Sequence, residues 1–342
     1  MKYKKILAAF FVAGLLLLLV SCGNQGGGNQ SDTGKQGKKI VLKIASVLPA
    51  EHPASQALEF FKNRMQEVSG GMIEVQLFLN SQLGNATESI QNCQGGNIEM
   101  TFASVAPLSQ FCPELNALGM PFVFRNKDHE YKVVDGEIGK RLAKKLGSVN
   151  LHNLCYFDAG SRNIMTKKGP IEKPEDLKGM KIRVMPSKLM VDSINALGAS
   201  AVAMSQGEVY SALQTGVLDG WENNPPTALS FKMYETGCIY YAWTRHLAVP
   251  DLLLINLKFY QSLSEEQKNQ LNHVAGETVI KQRELWKQNE QKAVDKLKES
   301  GMIFNEVNIE DFSSRVEPVY QESYKKYGAE FEEICKAIRE VK

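Results

Sequence analysis

The sequence lacks the short motifs that mark the common enzyme classes. It contains no Gly-x-Ser-x-Gly nucleophile elbow, no His-Glu-x-x-His metalloprotease motif and no Gly-x-Gly-x-x-Gly dinucleotide loop. The histidines show no mutual spacing typical of a metal site; they are His52, His129, His152, His246 and His273. We therefore predict that the chain is not an enzyme and that it uses no cofactor and no metal.

The sequence also lacks the surplus of positive charge that a nucleic-acid partner requires. Its 342 residues include 40 Lys and Arg against 38 Asp and Glu, but three of the lysines lie within the first 22 residues, where no acidic residue occurs. The remainder has 37 basic against 38 acidic residues, and phosphate binding needs a basic excess or a basic stripe. Hydrophobic residues make up 43% of the chain, so we expect a globular protein of about two domains and no nucleic-acid partner.

Paired cysteine motifs are absent as well. Beyond the N-terminus the cysteines are Cys93, Cys112, Cys155, Cys238 and Cys335. They form no Cys-x-x-Cys pair, and an odd number cannot all pair with one another. We expect buried free thiols, although export would permit a disulfide.

The N-terminus has the layout of an export signal. Three lysines precede an apolar run at residues 6–20, and these 15 residues are too few for a membrane span of about 20 residues. The segment Leu-Val-Ser-Cys at 19–22 resembles a bacterial lipobox. We predict a signal peptide at 1–21, then a lipidated Cys22 and a flexible tether over 22–39, because no apolar residue follows Cys22 until Ile40. The alternatives are an unlipidated signal peptide or a retained anchor.

The rest of the chain contains the same order of elements twice. Apolar alternation and helical periodicity predict a β–α–β–α–β unit over 40–103 and another over 180–221. In the first unit the predicted strands are 40–44, 73–79 and 98–103, and the predicted helices are 57–68 and 87–93. In the second unit the predicted strands are 180–185, 201–204 and 217–221, and the predicted helices are 188–197 and 208–214. Such units usually form parallel sheets covered by helices, so we predict two similar α/β lobes.

A long helix follows a further apolar strand at 251–255. Ser264 and Gln267 make a capping box, and the apolar positions continue on one side until Gly301. A helix of about 35 residues is about 50 Å long, longer than a single lobe of about 120 residues. We therefore expect it to run along both lobes and tie them together.

One cationic group stands out among the polar residues. Arg183 lies between Ile182 and Val184 in a predicted strand, and a buried guanidinium needs an anion because it cannot lose its charge. That anion is either a carboxylate of the protein or a bound carboxylate, which fits the planar fork of arginine. Arg162 lies in a glycine-containing loop, where surface exposure is the alternative, and Asn223 follows a strand end, where open α/β sheets bind ligands.

Several longer motifs together resemble the solute receptors of TRAP (tripartite ATP-independent periplasmic) transporters. The matching stretches are Gly-Gly-Met-Ile-Glu-Val at 70–75, Ser-Gln-Leu-Gly at 81–84, Pro-Phe-Val-Phe at 121–124, Pro-Glu-Asp-Leu-Lys-Gly-Met-Lys-Ile-Arg-Val at 174–184, Gly-Glu-Val-Tyr-Ser-Ala-Leu-Gln-Thr-Gly at 207–216 and Asp-Gly-Trp-Glu-Asn-Asn at 219–224. The resemblance implies a periplasmic-binding-protein-like α/β fold. Each lobe would be a mixed, mostly parallel sheet flanked by helices, and hinge strands and a long helix would join the two. We place lobe 1 at 40–159 and 249–288, and lobe 2 at 160–248 and 289–342.

The resemblance also implies site residues. The position of Arg183 pairs with the substrate carboxylate, that of Arg162 supplies a second arginine, and that of Asn223 supplies an amide. Asn85 and Ser104 fall where the first lobe contributes polar contacts, and Ser104 argues against sialic acid, for whose receptors a carboxylate is expected at that position.

Three further features resemble the receptors for sugar acids. They are His52 with Pro53, Glu222 within Glu-Asn-Asn, and the His-x-x-x-Pro that begins at His246. We expect His52, which Pro53 holds extended, to bond a sugar hydroxyl. Trp221 departs from that subgroup, and its ring either stacks on a sugar face or fills the core.

These observations lead to one predicted function. We expect a monomeric extracytoplasmic receptor, lipid-anchored through Cys22, that closes on a hexuronate such as glucuronate or galacturonate, or a related keto acid. It would deliver this ligand to the TRAP membrane permease. The alternatives are a C4-dicarboxylate or 2-oxo acid ligand and, more remotely, an enzyme acting on organic acids.

Overall fold

A computed structural model describes residues 39–342 of the chain. The predicted signal peptide, Cys22 and the tether as far as residue 38 lie outside the described residues. Within 39–342, no helix is both long enough and apolar enough to cross a membrane.

The described residues form two sheets flanked by helices. The strands are β1 Ile40–Ala45, β2 Ile73–Phe78, β3 Met100–Ser104, β4 Leu151–Phe157, β5 Ser161–Thr166, β6 Lys181–Val184, β7 Ser200–Ala203, β8 Gly220–Asn223, β9 Tyr240–Ala248, β10 Asp251–Asn256 and β11 Ile303–Glu306. The α-helices are α1 Pro53–Val68, α2 Ala86–Gly95, α3 Val105–Leu108, α4 Lys127–Asp135, α5 Glu137–Lys145, α6 Lys188–Ala196, α7 Gln206–Gln214, α8 Pro225–Ser230, α9 Leu257–Ser262, α10 Glu265–Glu299, α11 Ile309–Ser313, α12 Glu317–Tyr327 and α13 Ala329–Glu340. Short 3-10 helices lie at Pro113–Gly119, Leu146–Val149, Pro174–Leu177 and Met233–Thr236.

The two predicted β–α–β–α–β units fold in the same way. The first sheet has the order β2-β1-β3-β10-β4 and the second β11-β9-β5-β8-β6-β7. In each unit the first strand is central, and the second and third strands pair with it in parallel on opposite sides. The direction of the connections therefore reverses beside β1 and beside β6, which makes the carboxyl ends of these strands the expected ligand site of each unit.

Antiparallel strands, which the periodicity did not predict as such, complete both sheets. β10 pairs antiparallel with β3 and β4, and β5 pairs antiparallel with β8 and β9. The chain passes between the sheets from β4 to β5 and returns from β9 to β10. The predicted two-lobed α/β fold, with mixed sheets and hinge strands, is confirmed.

The long helix is also confirmed. α10 has 35 residues, and Ser264 and Gln267 form the predicted capping box at its start. It packs on α1 and β4 beside the first sheet and on α8 beside the second, so it contacts both halves of the fold.

The C-terminal helices are shared between the halves. α12 packs on α6 beside the second sheet, whereas α13 packs on α5 and on the 3-10 helix Pro113–Gly119. His129, in α4, contacts the carbonyl oxygen of Ile338 through its Nε2 at 2.8 Å. The assignment of all of 289–342 to lobe 2, which was made from the sequence, stays a prediction.

All five cysteines of the described chain are buried free thiols, as expected. Burial raises the pKa of each thiol, for example that of Cys335 to about 12, so they are protonated at neutral pH. Buried thiols of this kind act as small apolar side chains in the core.

Candidate functional site

A cavity lies between the two sheets, at the carboxyl ends of the parallel strands. It is lined by Val47 after β1, Ser104 at the end of β3, Met185 after β6 and Asn223 at the end of β8. Its volume is about 90 Å³. This is several times the space that one water molecule needs, so the cavity can hold one small organic molecule.

Arg183 lines this cavity without a carboxylate partner. Its side chain is 1% exposed, Nε donates to the carbonyl oxygen of Met204 at 2.8 Å, and Nη1 donates to Oε1 of Gln206 at 3.1 Å. These bonds use two of the five N–H donors of a guanidinium, and Arg183 forms no ion pair within residues 39–342. Burial lowers the pKa of Arg183 to about 9, so the group remains cationic at neutral pH. The sequence left two possible partners for Arg183, a carboxylate of the protein or a bound carboxylate. No carboxylate of the described residues forms an ion pair with Arg183.

Arg162 differs, because Glu222 neutralises it. Its Nη2 donates to Oε1 of Glu222 at 2.7 Å and its Nε donates to Oε2, so the two groups form a bidentate pair. Nη1 donates to Oδ1 of Asn223 at 3.1 Å. Burial alone would raise the pKa of Glu222, but the charge of Arg162, its hydrogen bonds and the nearby ring of His246 lower it below its ordinary value.

His52 lines the cavity and bridges the two halves of the fold. Its Nδ1 accepts from the backbone amide of Ala54 at 3.1 Å at the start of α1, so the proton of the neutral ring lies on Nε2, which donates to Oγ1 of Thr227 in α8 at 3.1 Å. Burial lowers the pKa of His52 to about 3. Both ring nitrogens thus have protein partners, and the predicted bond to a sugar hydroxyl would have to replace that to Thr227.

The other predicted cavity residues carry local structural roles as well. Asn85 and Ser104 line the cavity at the N-caps of α2 and α3, and Oδ1 of Asn85 accepts from the amide of Glu88 at 3.1 Å. Asn223 uses its Oδ1 for Arg162 and for the amide of Asn224. The structure therefore brings six of the predicted residues to one cavity: His52, Asn85, Ser104, Arg162, Arg183 and Asn223.

Three predicted site residues do not line the cavity. Trp221 is fully buried and packs with the core of the second sheet, because β8 continues two residues beyond it to Asn223 and places the ring inside the sheet rather than at its edge. Its core-filling alternative is the one that the structure adopts. Glu222 and His246 are fully buried behind the wall, where Nε2 of His246 lies 3.6 Å from Oε2 of Glu222. Glu222 pairs with Arg162 from this position, and a role of Glu222 or His246 in ligand binding stays a prediction.

The cavity residues that the sequence did not predict include Gln206, Asn224, Asp251 and Trp286. The indole N–H of Trp286, a residue of α10, and the side-chain nitrogen of Gln206 are buried and have no hydrogen-bond partner among the described residues. Nδ2 of Asn224 donates to the carbonyl oxygen of Ala159, between β4 and β5, at 2.9 Å. Among these residues, only Asn224 could have been predicted for the site, because it follows Asn223. Asp251 was assigned to the start of an apolar strand, and Trp286 was assigned to the helix that joins the lobes.

Two sets of hydrogen-bonding groups can be distinguished among the polar residues of the cavity. The satisfied set, Arg162, Asn223, Asn224 and His52, has partners within the protein. The unsatisfied set, Arg183, Gln206 and Trp286, has hydrogen-bond donors to spare. Because buried donors without acceptors are costly, this cavity is suited to an anionic ligand that is rich in acceptor oxygens.

The family model for bacterial extracellular solute-binding proteins, family 7, matches residues 44–327. A protein of Chromohalobacter salexigens, described only as a solute-binding protein, is 34% identical over 278 residues, which are 81% of this chain and 82% of that protein.

Solved structures agree with this match. A TRAP periplasmic solute-binding protein from Pseudomonas putida F1, crystallised with bound D-glucuronate, has a TM-score of 0.84 and 36% identity over 89% of this chain and 98% of its own. One from Sulfitobacter sp. NAS-14.1, with bound β-D-galacturonate, has a TM-score of 0.85 and 31% identity over 87% and 99% of the two chains.

Proposed function

The chain belongs to the bacterial extracellular solute-binding proteins of family 7, the receptors of TRAP transporters, and on this basis we propose that its own ligand is a hexuronate such as glucuronate or galacturonate. Arg183 would bind the carboxylate, and the indole N–H of Trp286 and the amide of Gln206 would donate to other ligand oxygens. The bound uronates of the two similar structures support this ligand class.

The observation that carries the proposal is the uncompensated charge of Arg183. A buried cation with no anionic partner is expensive, and it is retained here at the wall of a cavity large enough for a small acid. A ligand carboxylate would supply both the missing charge and the acceptors for the remaining N–H groups. Closure would follow, because a ligand that contacts both halves favours the closed state by its differential affinity for it.

The experiment is a ligand panel measured by thermal unfolding and calorimetry. The purified chain without its first 39 residues is unfolded with hexuronates, aldonates, C4-dicarboxylates and 2-oxo acids; a ligand at one hundred times its dissociation constant adds about 2.7 kcal/mol to stability. We expect hexuronates to raise the melting temperature most and to be recovered chemically unchanged. A larger shift with C4-dicarboxylates would replace the proposed ligand, and turnover would contradict a pure receptor.

The matched variants are Arg183→Met and Arg141→Ala. Arg183→Met keeps most of the side-chain volume and removes the charge, so it should abolish the shift. Arg141 is a partly exposed residue of α5 that pairs with Glu330 and Glu333, and its removal should leave the shift intact. Retained hexuronate affinity in Arg183→Met would refute the role given to this arginine.

We also propose that the receptor is a monomer anchored to the membrane by a lipid on Cys22 and that it hands its ligand to TRAP permease subunits. The lipobox-like segment at 19–22 supports the anchor. Expression of the full chain and of Cys22→Ser, followed by membrane fractionation, tests it. The anchor predicts membrane association that Cys22→Ser abolishes, and equal association of both chains would contradict it.

A further inference from the structure

Asp251 places a carboxylate in the cavity wall that no ion pair uses. It is the first residue of β10, and the antiparallel register sets it opposite Ser104, the last residue of β3, and opposite Phe157, the last residue of β4. It lines the same cavity as Arg183. Within residues 39–342 no lysine, arginine or histidine forms a salt bridge with it.

Among the described residues, the charged ones in the cavity wall are Arg162, Arg183 and Asp251. Glu222 neutralises Arg162 from behind the wall. The cavity therefore presents one unmatched cation and one unmatched carboxyl group. A ligand with a single carboxylate can satisfy Arg183, whereas a second carboxylate on the ligand would share the small remaining space with Asp251.

The chemistry of the carboxyl group favours hydroxyl groups over anions. An ionised carboxylate only accepts hydrogen bonds, so ligand hydroxyls can donate to it, while a ligand carboxylate cannot and repels it in a site of low dielectric. Burial raises the pKa of Asp251 to about 7. The charge of Asp158 also raises this pKa, whereas the charge of Arg162 and a hydrogen bond from Ser104 lower it. Hydroxyl donors of a bound ligand would favour the ionised form of Asp251.

We propose that Asp251 sets the substrate class of this site: it accepts hydrogen bonds from the hydroxyls of a sugar acid and excludes acids that carry a second carboxylate. This inference rests on the proposed function, in which one ligand carboxylate binds Arg183. It separates sugar monoacids from aldaric acids and C4-dicarboxylates, which the charge of Arg183 alone would not do.

The test compares ligands that differ by one carboxylate. D-Gluconate and D-glucarate share their hydroxyl pattern, but glucarate carries a carboxylate in place of the terminal hydroxymethyl group; both are measured by competition against D-glucuronate. The quantity compared is the dissociation constant of glucarate divided by that of gluconate. We expect this ratio to be about a hundred for the native protein, because two like charges in one site cost several kcal/mol. Asp251→Asn keeps the shape and removes the charge, so it should lower the ratio about tenfold or more. Native protein that accepts glucarate as well as gluconate, or an unchanged ratio in Asp251→Asn, overturns the inference.

The pH dependence of that ratio excludes a merely structural effect. Between about pH 5 and about pH 8 Asp251 changes from mostly protonated to mostly ionised, so discrimination by the native protein should widen as pH rises. The other groups that influence this carboxyl are Arg162 from β5, Asp158 after β4 and Glu130 from α4, and all three remain in Asp251→Asn. Any pH dependence that these three groups cause would therefore persist in the variant. We expect the variant to show a flat ratio, which would assign the dependence to Asp251, and a variant that keeps the native pH dependence would contradict that assignment.

The two proposals fail in different ways. If glucuronate binds through Arg183 but the ratio does not depend on Asp251, only the inference about Asp251 is wrong. If the native protein binds none of these acids, the proposed function itself is wrong, and the inference falls with it.

Discussion

The ends of β5 and β6 each place a buried arginine at the cavity, and the two arginines are held in opposite ways. Arg162 is locked in a bidentate pair with Glu222 and a further bond to Asn223, whereas Arg183 is held by two neutral oxygens and forms no ion pair in the described chain. The first arrangement is complete without a ligand and the second is not. Two residues of the same type thus serve different ends, Arg162 to build the cavity and Arg183 to recognise what enters it.

The strongest test of this contrast is the removal of Arg162. Arg162→Met would leave Glu222 buried and unpaired, and breaking a buried pair on one side costs about 3–5 kcal/mol. We expect a large fall in the melting temperature of the ligand-free protein, or a failure to accumulate folded protein. The double variant Arg162→Met with Glu222→Gln removes both charges and should recover much of the loss. A stable single variant would show that the pair is not needed for the fold.

Arg183→Met should act in the opposite sense on stability. Removing an uncompensated buried cation and keeping its volume should leave the melting temperature of the ligand-free protein unchanged or raise it. Affinity for the acid should fall by about 2–5 kcal/mol, the usual cost of deleting one side of a buried charged contact. The contrast between the arginines would collapse if Arg183→Met destabilised the ligand-free protein as much as Arg162→Met does.

His52 extends the contrast to pH. Its pKa of about 3 in the fold lies below the ordinary value of 6.5, so the unfolded chain takes up a proton first as pH falls. The stability that depends on neutral His52 is therefore complete above about pH 6.5 and declines between 6.5 and about 3, by about 2 kcal/mol at pH 5. Asn is a good N-cap residue, so His52→Asn should preserve α1 and flatten this part of the curve of melting temperature against pH. An identical acid limb in both proteins would mean that other groups cause it.

Much of this architecture follows from sequence pattern alone. The strands β1 to β3 and β6 to β8, the helices between them and the cap of α10 all follow from local periodicity and capping, which act within a few residues. Arg183 was predictable for the same reason, as a cation flanked by apolar residues in a strand. The antiparallel strands β5 and β9 were not, because their pairing depends on distant segments.

The two tryptophans show why part of the site was not predictable. Trp221 lies beside Asn223 in sequence and was a candidate for the cavity, yet its ring packs in the core with Met165 and Leu213. Trp286 lies more than 60 residues further along the chain and reaches the cavity, because α10 crosses both halves. Which side of a long helix meets a cleft is decided by tertiary packing, on which helical periodicity carries no information.

The same two tryptophans provide the finest test of the division between building and recognising groups. Both indole N–H groups are buried without a partner among the described residues, but only that of Trp286 belongs to the cavity wall. The Trp286 ring also packs on Gly160 between β4 and β5, where a Cβ atom would lie 2.9 Å from it, so Trp286→Phe keeps an aromatic ring in this position and removes the donor. One neutral hydrogen bond contributes about 0.5–1.5 kcal/mol, and affinity should therefore fall about two- to tenfold in calorimetry. Trp221→Phe deletes an equivalent donor inside the core and should leave affinity unchanged. Equal losses of affinity in both variants would assign the effect to packing, because recognition requires a donor that faces the ligand.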